Sequence, residues 1–141
     1  MFWSKKAVPT EAGVELGEVC RREAEELYRS GKYHCAEAVL EALRRHYLPD
    51  APEGVVATVG GFGGGSGSGC ICGAVSGGTV AIGLVLNDKK ATTHLTRELH
   101  EWFKGEYGVT CCKTIRQTHP GECPDLTGRV AGKIAEMLSQ H

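Results

Sequence analysis

Six cysteines of this 141-residue chain fall into a pattern that could carry chemistry: Cys35, a Cys-x-Cys at Cys70 and Cys72, a Cys-Cys at Cys111 and Cys112, and Cys123. No CxxC occurs, so zinc ribbons, thioredoxin-like redox motifs and haem attachment all lack their spacing. The cysteine runs of bacterial ferredoxins are missing too. Thiolates in this set could ligate an iron–sulfur cluster, hold zinc or another soft metal, or exchange disulfides. The seventh, Cys20, sits in the middle of an apolar stripe and reads as a small buried apolar residue. Seven is odd, so a complete intramolecular disulfide framework is impossible.

Other side chains offer less. His94 and His100 are six apart, which does not place them on one helical face, and no HExxH is present. His34 adjoins Cys35, and His119 lies between Cys112 and Cys123, so either could touch a centre built on those thiols. The glycine run from Gly60 to Gly69 has no GxGxxG in register, and no lysine lies between Glu53 and Lys89, which excludes a P-loop. Glycine permits positive φ and close backbone approach, so Gly63, Gly64 and Gly69, with Gly73, are candidates to wrap a cofactor. No paired carboxylates fall in this region, and general acid–base catalysis has little support.

The elements that position these residues read as helices. Leu16, Val19, Cys20, Ala24, Leu27 and Tyr28 form one stripe, which Gly31 stops. A second helix starts near His34 and ends before Pro49. Val55 to Val59 is a short third helix, and Cys72 to Leu86 a buried central one. Lys89 to Lys104 forms a fifth, closed by Gly105 and Gly108. A short turn follows Cys112, and a last helix opens at Cys123–Pro124, where proline loses nothing by lacking an N–H. The expectation is an all-α fold: one domain over residues 1–141, a compact bundle of five to six helices with a central glycine loop. Cys35, Cys72, Cys112 and Cys123 then stand at or near helix N-termini, where the dipole and free N–H groups stabilise thiolates. Cys70 and Cys111 have weaker support of that kind.

Composition sets the surroundings. All 33 charged residues lie outside the 34 positions from Gly54 to Asn87, and the net charge is −1. That balance removes the usual footprint of a nucleic-acid binder. The start, MFWSKK, has no apolar segment behind its lysines, so no secretory leader is expected. Ile71 to Leu86 is too short and too interrupted to span a bilayer. A cytoplasmic location follows as an expectation, where cysteines serve metals and redox more than structural bridges. An apolar middle this long also suggests a homodimer.

Cys72-Gly73-Ala74-Val75-Ser76-Gly77, with the glycine loop before it, Cys35-Ala36 upstream and two cysteines downstream, resembles the C_GCAxxG_C_C family of redox-active proteins over essentially the whole chain. The resemblance implies that its four characteristic cysteines are Cys35, Cys72, Cys112 and Cys123. Cys112 is chosen over Cys111 from the segment Tyr107-Gly108-Val109-Thr110-Cys111-Cys112. The pattern is more distantly similar to the non-haem part of split-Soret cytochromes, which implies an iron–sulfur centre. No haem-attachment motif is present, so a haem role does not transfer. Cys70 and Cys111 depart from the family pattern and are possible extra ligands. The expected function is electron carriage, exchanged with a redox partner protein, by a [2Fe–2S] or [4Fe–4S] cluster on those four thiolates. A thiol/disulfide redox enzyme or sensor, a zinc or soft-metal protein and a cofactor-free interaction protein are the alternatives.

Overall fold

The computed structural model describes residues 10–141, with side chains from Glu15 onward. The segment read as lacking a leader lies outside the described residues. Among those residues there are six α-helices and no strand. They are α1 (Thr10–Arg29), α2 (Cys35–Tyr47), α3 (Gly73–Leu86), α4 (Lys89–Tyr107), α5 (Cys112–Thr118) and α6 (Cys123–Ser139). A 3-10 segment (Glu53–Phe62) and a single π turn (Gly65–Gly69) join α2 to α3.

Local signals set most boundaries. The His34 N–H donates to Glu37 Oε1 at 3.1 Å, so the first turn of α2 is tied to the residue before it. The Asp88 carboxylate accepts from the Ala91 N–H at 2.8 Å and opens α4. Gly31 follows α1 with φ 80°. Two expected boundaries move. Helix α4 runs through Gly105 to Tyr107, because a helix-interior glycine costs only about 1 kcal/mol and the buried Phe103 and Tyr107 anchor the last turn. The short helix expected at Val55 to Val59 is the longer 3-10 segment, held by the buried Val56 and Val59.

Helix α2 is central and packs on α1, α3 and α6, while α1 and α6 lie along each other. Cys20 and Ala24 of α1, Val39, Leu40 and Leu43 of α2 and Val130 and Ile134 of α6 are fully buried between them. The Tyr47 hydroxyl donates to the Ala135 carbonyl at 2.9 Å and joins α2 to α6. Glu41 is buried on α2 but receives hydrogen bonds from Arg44 and Arg45. Burial alone would raise its carboxyl; those bonds win and hold it below the ordinary range.

Helix α3 is the charge-free one, and it lies against α2 with no side chain between them at Gly77. A Cβ there would meet the Ala36 carbonyl oxygen at 2.5 Å and the Ala36 Cα at 2.6 Å. These are backbone atoms of a neighbouring helix, which cannot swing aside. Gly105, by contrast, has open space around it. Gly77→Ala is expected to lower stability by about 2–3 kcal/mol through overpacking, and Gly105→Ala to raise it by about 0.5–1 kcal/mol. Urea unfolding under reducing conditions measures both. An unchanged midpoint for Gly77→Ala would contradict the close approach.

Candidate metal centre

Four separate elements bring one thiol each to a single cavity. Cys35 opens α2, Cys72 caps α3, Cys112 opens α5 and Cys123 opens α6. All four line a cavity of about 360 Å³. Gly63, Gly64 and Gly73 line it as well, so three of the four glycines proposed as cofactor positions are placed there. Gly69 is not. It lies on the far side of the glycine turn, in a shallow depression beside Lys113. Cys70 and Cys111 are likewise absent from the cavity lining.

The cavity wall needs its glycine next to Cys72. A Cβ on Gly73 would collide with Cys35 Sγ and stand 2.7 Å from the Phe62 carbonyl oxygen. The two cysteines can therefore face each other only across a residue without a side chain. The approach to Cys72 is also strained: Ile71, β-branched and 46 % exposed, has φ 58°. Such a conformation costs a branched residue of order 1–3 kcal/mol. It is held by the Cys72 N–H donating to the Thr110 carbonyl at 2.7 Å, and by the Cys70 N–H donating to the Gly65 carbonyl at 3.1 Å.

Backbone N–H groups aim at the sulfurs, as helix starts should. Those of Ala36 and Gly64 reach Cys35, and those of Ala74 and Val75 reach Cys72. The expected stabilisation of thiolates nevertheless fails at three positions. Burial pushes Cys72 up to about 12, helped by the facing Cys35 and opposed by the two N–H groups. Burial likewise raises Cys35, with Cys112 and Cys123 adding to it, and raises Cys112 against the lowering charge of Arg116. Desolvation outweighs the helix termini in the cavity. The one thiol that is lowered is Cys111, the N-cap of α5, where the Thr114 N–H and then its hydroxyl stabilise the anion.

Three polar neighbours went unnoticed in the sequence. Tyr28 belongs to the α1 apolar stripe in sequence. Its hydroxyl lines the cavity beside Cys123, and burial first, then the Cys123 and Cys35 sulfurs, raise it. Arg116 and Thr127 also line the cavity. Each stands four residues after a helix-opening cysteine, so an i, i+4 walk from Cys112 and Cys123 would have found them. His34 lines the cavity, whereas His119 packs edge-on against Tyr107 at 5.4 Å between ring centres. Cys20 is fully buried in the core, as its stripe position implied.

Among the described residues, no group of three or more His, Cys, Asp or Glu side chains is arranged to hold a metal ion. The four thiols surround a cavity instead of meeting at a point. A tetrahedral ion with bonds of about 2.3 Å would need its sulfurs within about 4 Å of one another. What these elements define is a helical protein with one thiol-lined cavity. The family model described as "Putative redox-active protein (C_GCAxxG_C_C)" matches residues 33–137, and the chain belongs to that family. The match takes in all four cavity cysteines and begins after α1, so it covers less of the chain than the motifs suggested. No curated protein and no solved structure matches the chain. No helix of the described residues is long and apolar enough to cross a membrane.

The thiolate is the nucleophile in alkylation. A thiol at about 12 is ionised to only about one part in ten thousand at pH 8, so Cys72 reacts slowly, speeding tenfold per pH unit. Iodoacetamide on the metal-free protein should therefore label Cys111 first and Cys72 late, as read by peptide mass spectrometry. Labelling of Cys72 ahead of Cys111 at pH 8 would contradict this ordering.

Proposed function

We propose that the protein is an electron carrier whose resident group is an iron–sulfur cluster held by Cys35, Cys72, Cys112 and Cys123. The observation that carries this reading is the convergence of those four thiols, from four different elements, on one cavity. Four cysteines are the full ligand set of either a [2Fe–2S] or a [4Fe–4S] cluster. Sulfurs spread around a cavity suit ligands to different irons better than they suit a single zinc. Bound there, such a cluster would supply reversible one-electron chemistry.

The chain's own residues have definite tasks in this reading. The Ala36, Gly64, Ala74 and Val75 N–H groups face the sulfurs and the Tyr28 hydroxyl stands beside Cys123, donors that would tune a thiolate's electron-richness. Residues 54–87 bring no charge to the wall, so the donors act in a low-dielectric surrounding. All four thiols must lose their protons when metal enters, which makes loading weaker as pH falls. Gly60 and Gly64 both line the cavity and are exposed. A redox partner protein would exchange electrons across that face.

Anaerobically prepared protein should contain iron and acid-labile sulfide in proportion to the chain. Ser at 35, 72, 112 or 123 is expected to remove most of that iron, whereas Cys70→Ser or Cys111→Ser should leave most of it in place. Stoichiometric zinc without sulfide would overturn the reading. Loss of iron from Cys70→Ser as complete as from Cys72→Ser would overturn the four-ligand set.

A further inference from the structure

Cys70 and Cys111 stand outside the cavity, yet the fold brings their two segments side by side on its rim. The Cys111 sulfhydryl donates to the Gly69 carbonyl oxygen at 3.1 Å. Three residues further on, the Cys72 N–H donates to the Thr110 carbonyl at 2.7 Å. Residues 69–72 thus run beside 110–111 through two consecutive links. The Gly69 oxygen lies about 3 Å from the Cys70 Cα by covalent geometry, so Cys111 Sγ is within about 6 Å of that Cα.

Both thiols are reachable. Cys70 is exposed and Cys111 half-buried, whereas Cys20 and Cys72 are buried. Disulfides need Cα atoms about 4.4–6.8 Å apart, so closure asks at most for a shift of an ångström or two. The segment carrying Cys70 is flanked by Gly67 and Gly69, at φ 70° and 81°, and by the left-handed Ile71.

We propose that Cys70 and Cys111 are a second redox site, a dithiol–disulfide pair that exchanges with low-molecular-weight disulfides. The Cys111 thiol releases its proton to solvent, and its sulfur attacks one sulfur of the small disulfide. The S–S bond breaks, a mixed disulfide forms on Cys111, and the first small thiolate leaves and takes up a proton. Cys70, deprotonated in turn, attacks the Cys111 sulfur, forms the Cys70–Cys111 bond and expels the second small thiol. Two electrons and two protons pass from the pair to the small disulfide, which departs as two thiols. The new bond ties the glycine turn, whose Gly64 walls the cavity, to the residue before Cys112. It fastens the rim without consuming a cavity thiol.

The test treats protein isolated under argon with oxidised glutathione, alkylates the free thiols and digests with trypsin without reduction. Cleavage places Cys70 on residues 46–89 and Cys111 on residues 105–113. The expected product is these two peptides joined, lighter than their sum by two hydrogens. Its alkyl label should sit on Cys72 and Cys112, and it should be missing from Cys70→Ser and Cys111→Ser protein. A joined peptide persisting in either variant, a bond confined to Cys111–Cys112, or glutathione adducts without a cross-link would each overturn the proposal. The bond does not require iron. Iron-free protein that forms it would leave this inference standing while the metal reading falls.

Discussion

The closest approach of α3 to α2, with only glycine at Gly73 and Gly77 between them, is the constraint on which the cavity depends. At Gly77 the Ala36 backbone fills the space of a side chain, and at Gly73 the Cys35 sulfur and the Phe62 carbonyl do so. Widening that contact by one methyl group would separate Cys35 from Cys72. The glycine turn follows from the same constraint. A chain leaving the 3-10 segment at Phe62 must fold back tightly to deliver Cys72 beside Cys35, and it does so through a run of left-handed residues. Ser66 and the β-branched Ile71, both at φ 58°, are where side chains have been kept despite that path.

Two electrostatic effects compete at the sulfurs, and their balance differs between the cavity and its rim. Helix N-termini and their N–H groups favour thiolates, but burial favours thiols. Inside, burial wins for Cys35, Cys72 and Cys112. On the rim, the Thr114 N–H and hydroxyl win for Cys111. A buried neutral thiol is a poor nucleophile, but it is a good ligand once a metal takes the place of its proton. The cavity is therefore better suited to a bound centre than to disulfide exchange, while the rim has the opposite character.

Much of the fold was readable because amphipathic spacing, capping residues and the glycine stops act locally. The α1 and α2 stripes, the Lys89 start of α4 and the Cys123–Pro124 start all fall where the pattern put them. The end of α4 did not, since Gly105 looks like a stop until the burial of Tyr107 is known. The cavity cysteines were identifiable from the family motif and their positions at helix starts. Tyr28 was not, because a tyrosine on an apolar stripe gives no sign that it lines the same cavity as Cys123. The sulfur ionisation order was misjudged for a related reason: helix position is local, whereas desolvation depends on the packing of all the elements together.

The central claim is that four thiols from four elements hold one multinuclear centre. Electron paramagnetic resonance of the anaerobically isolated, chemically reduced protein tests it most directly. The account predicts a signal from coupled irons, stoichiometric with the chain and absent from Cys72→Ser protein. An iron-loaded sample that gave no coupled-iron signal on reduction and only the high-spin signal of isolated ferric ions when oxidised, or the same coupled signal with Cys72 replaced, would contradict it.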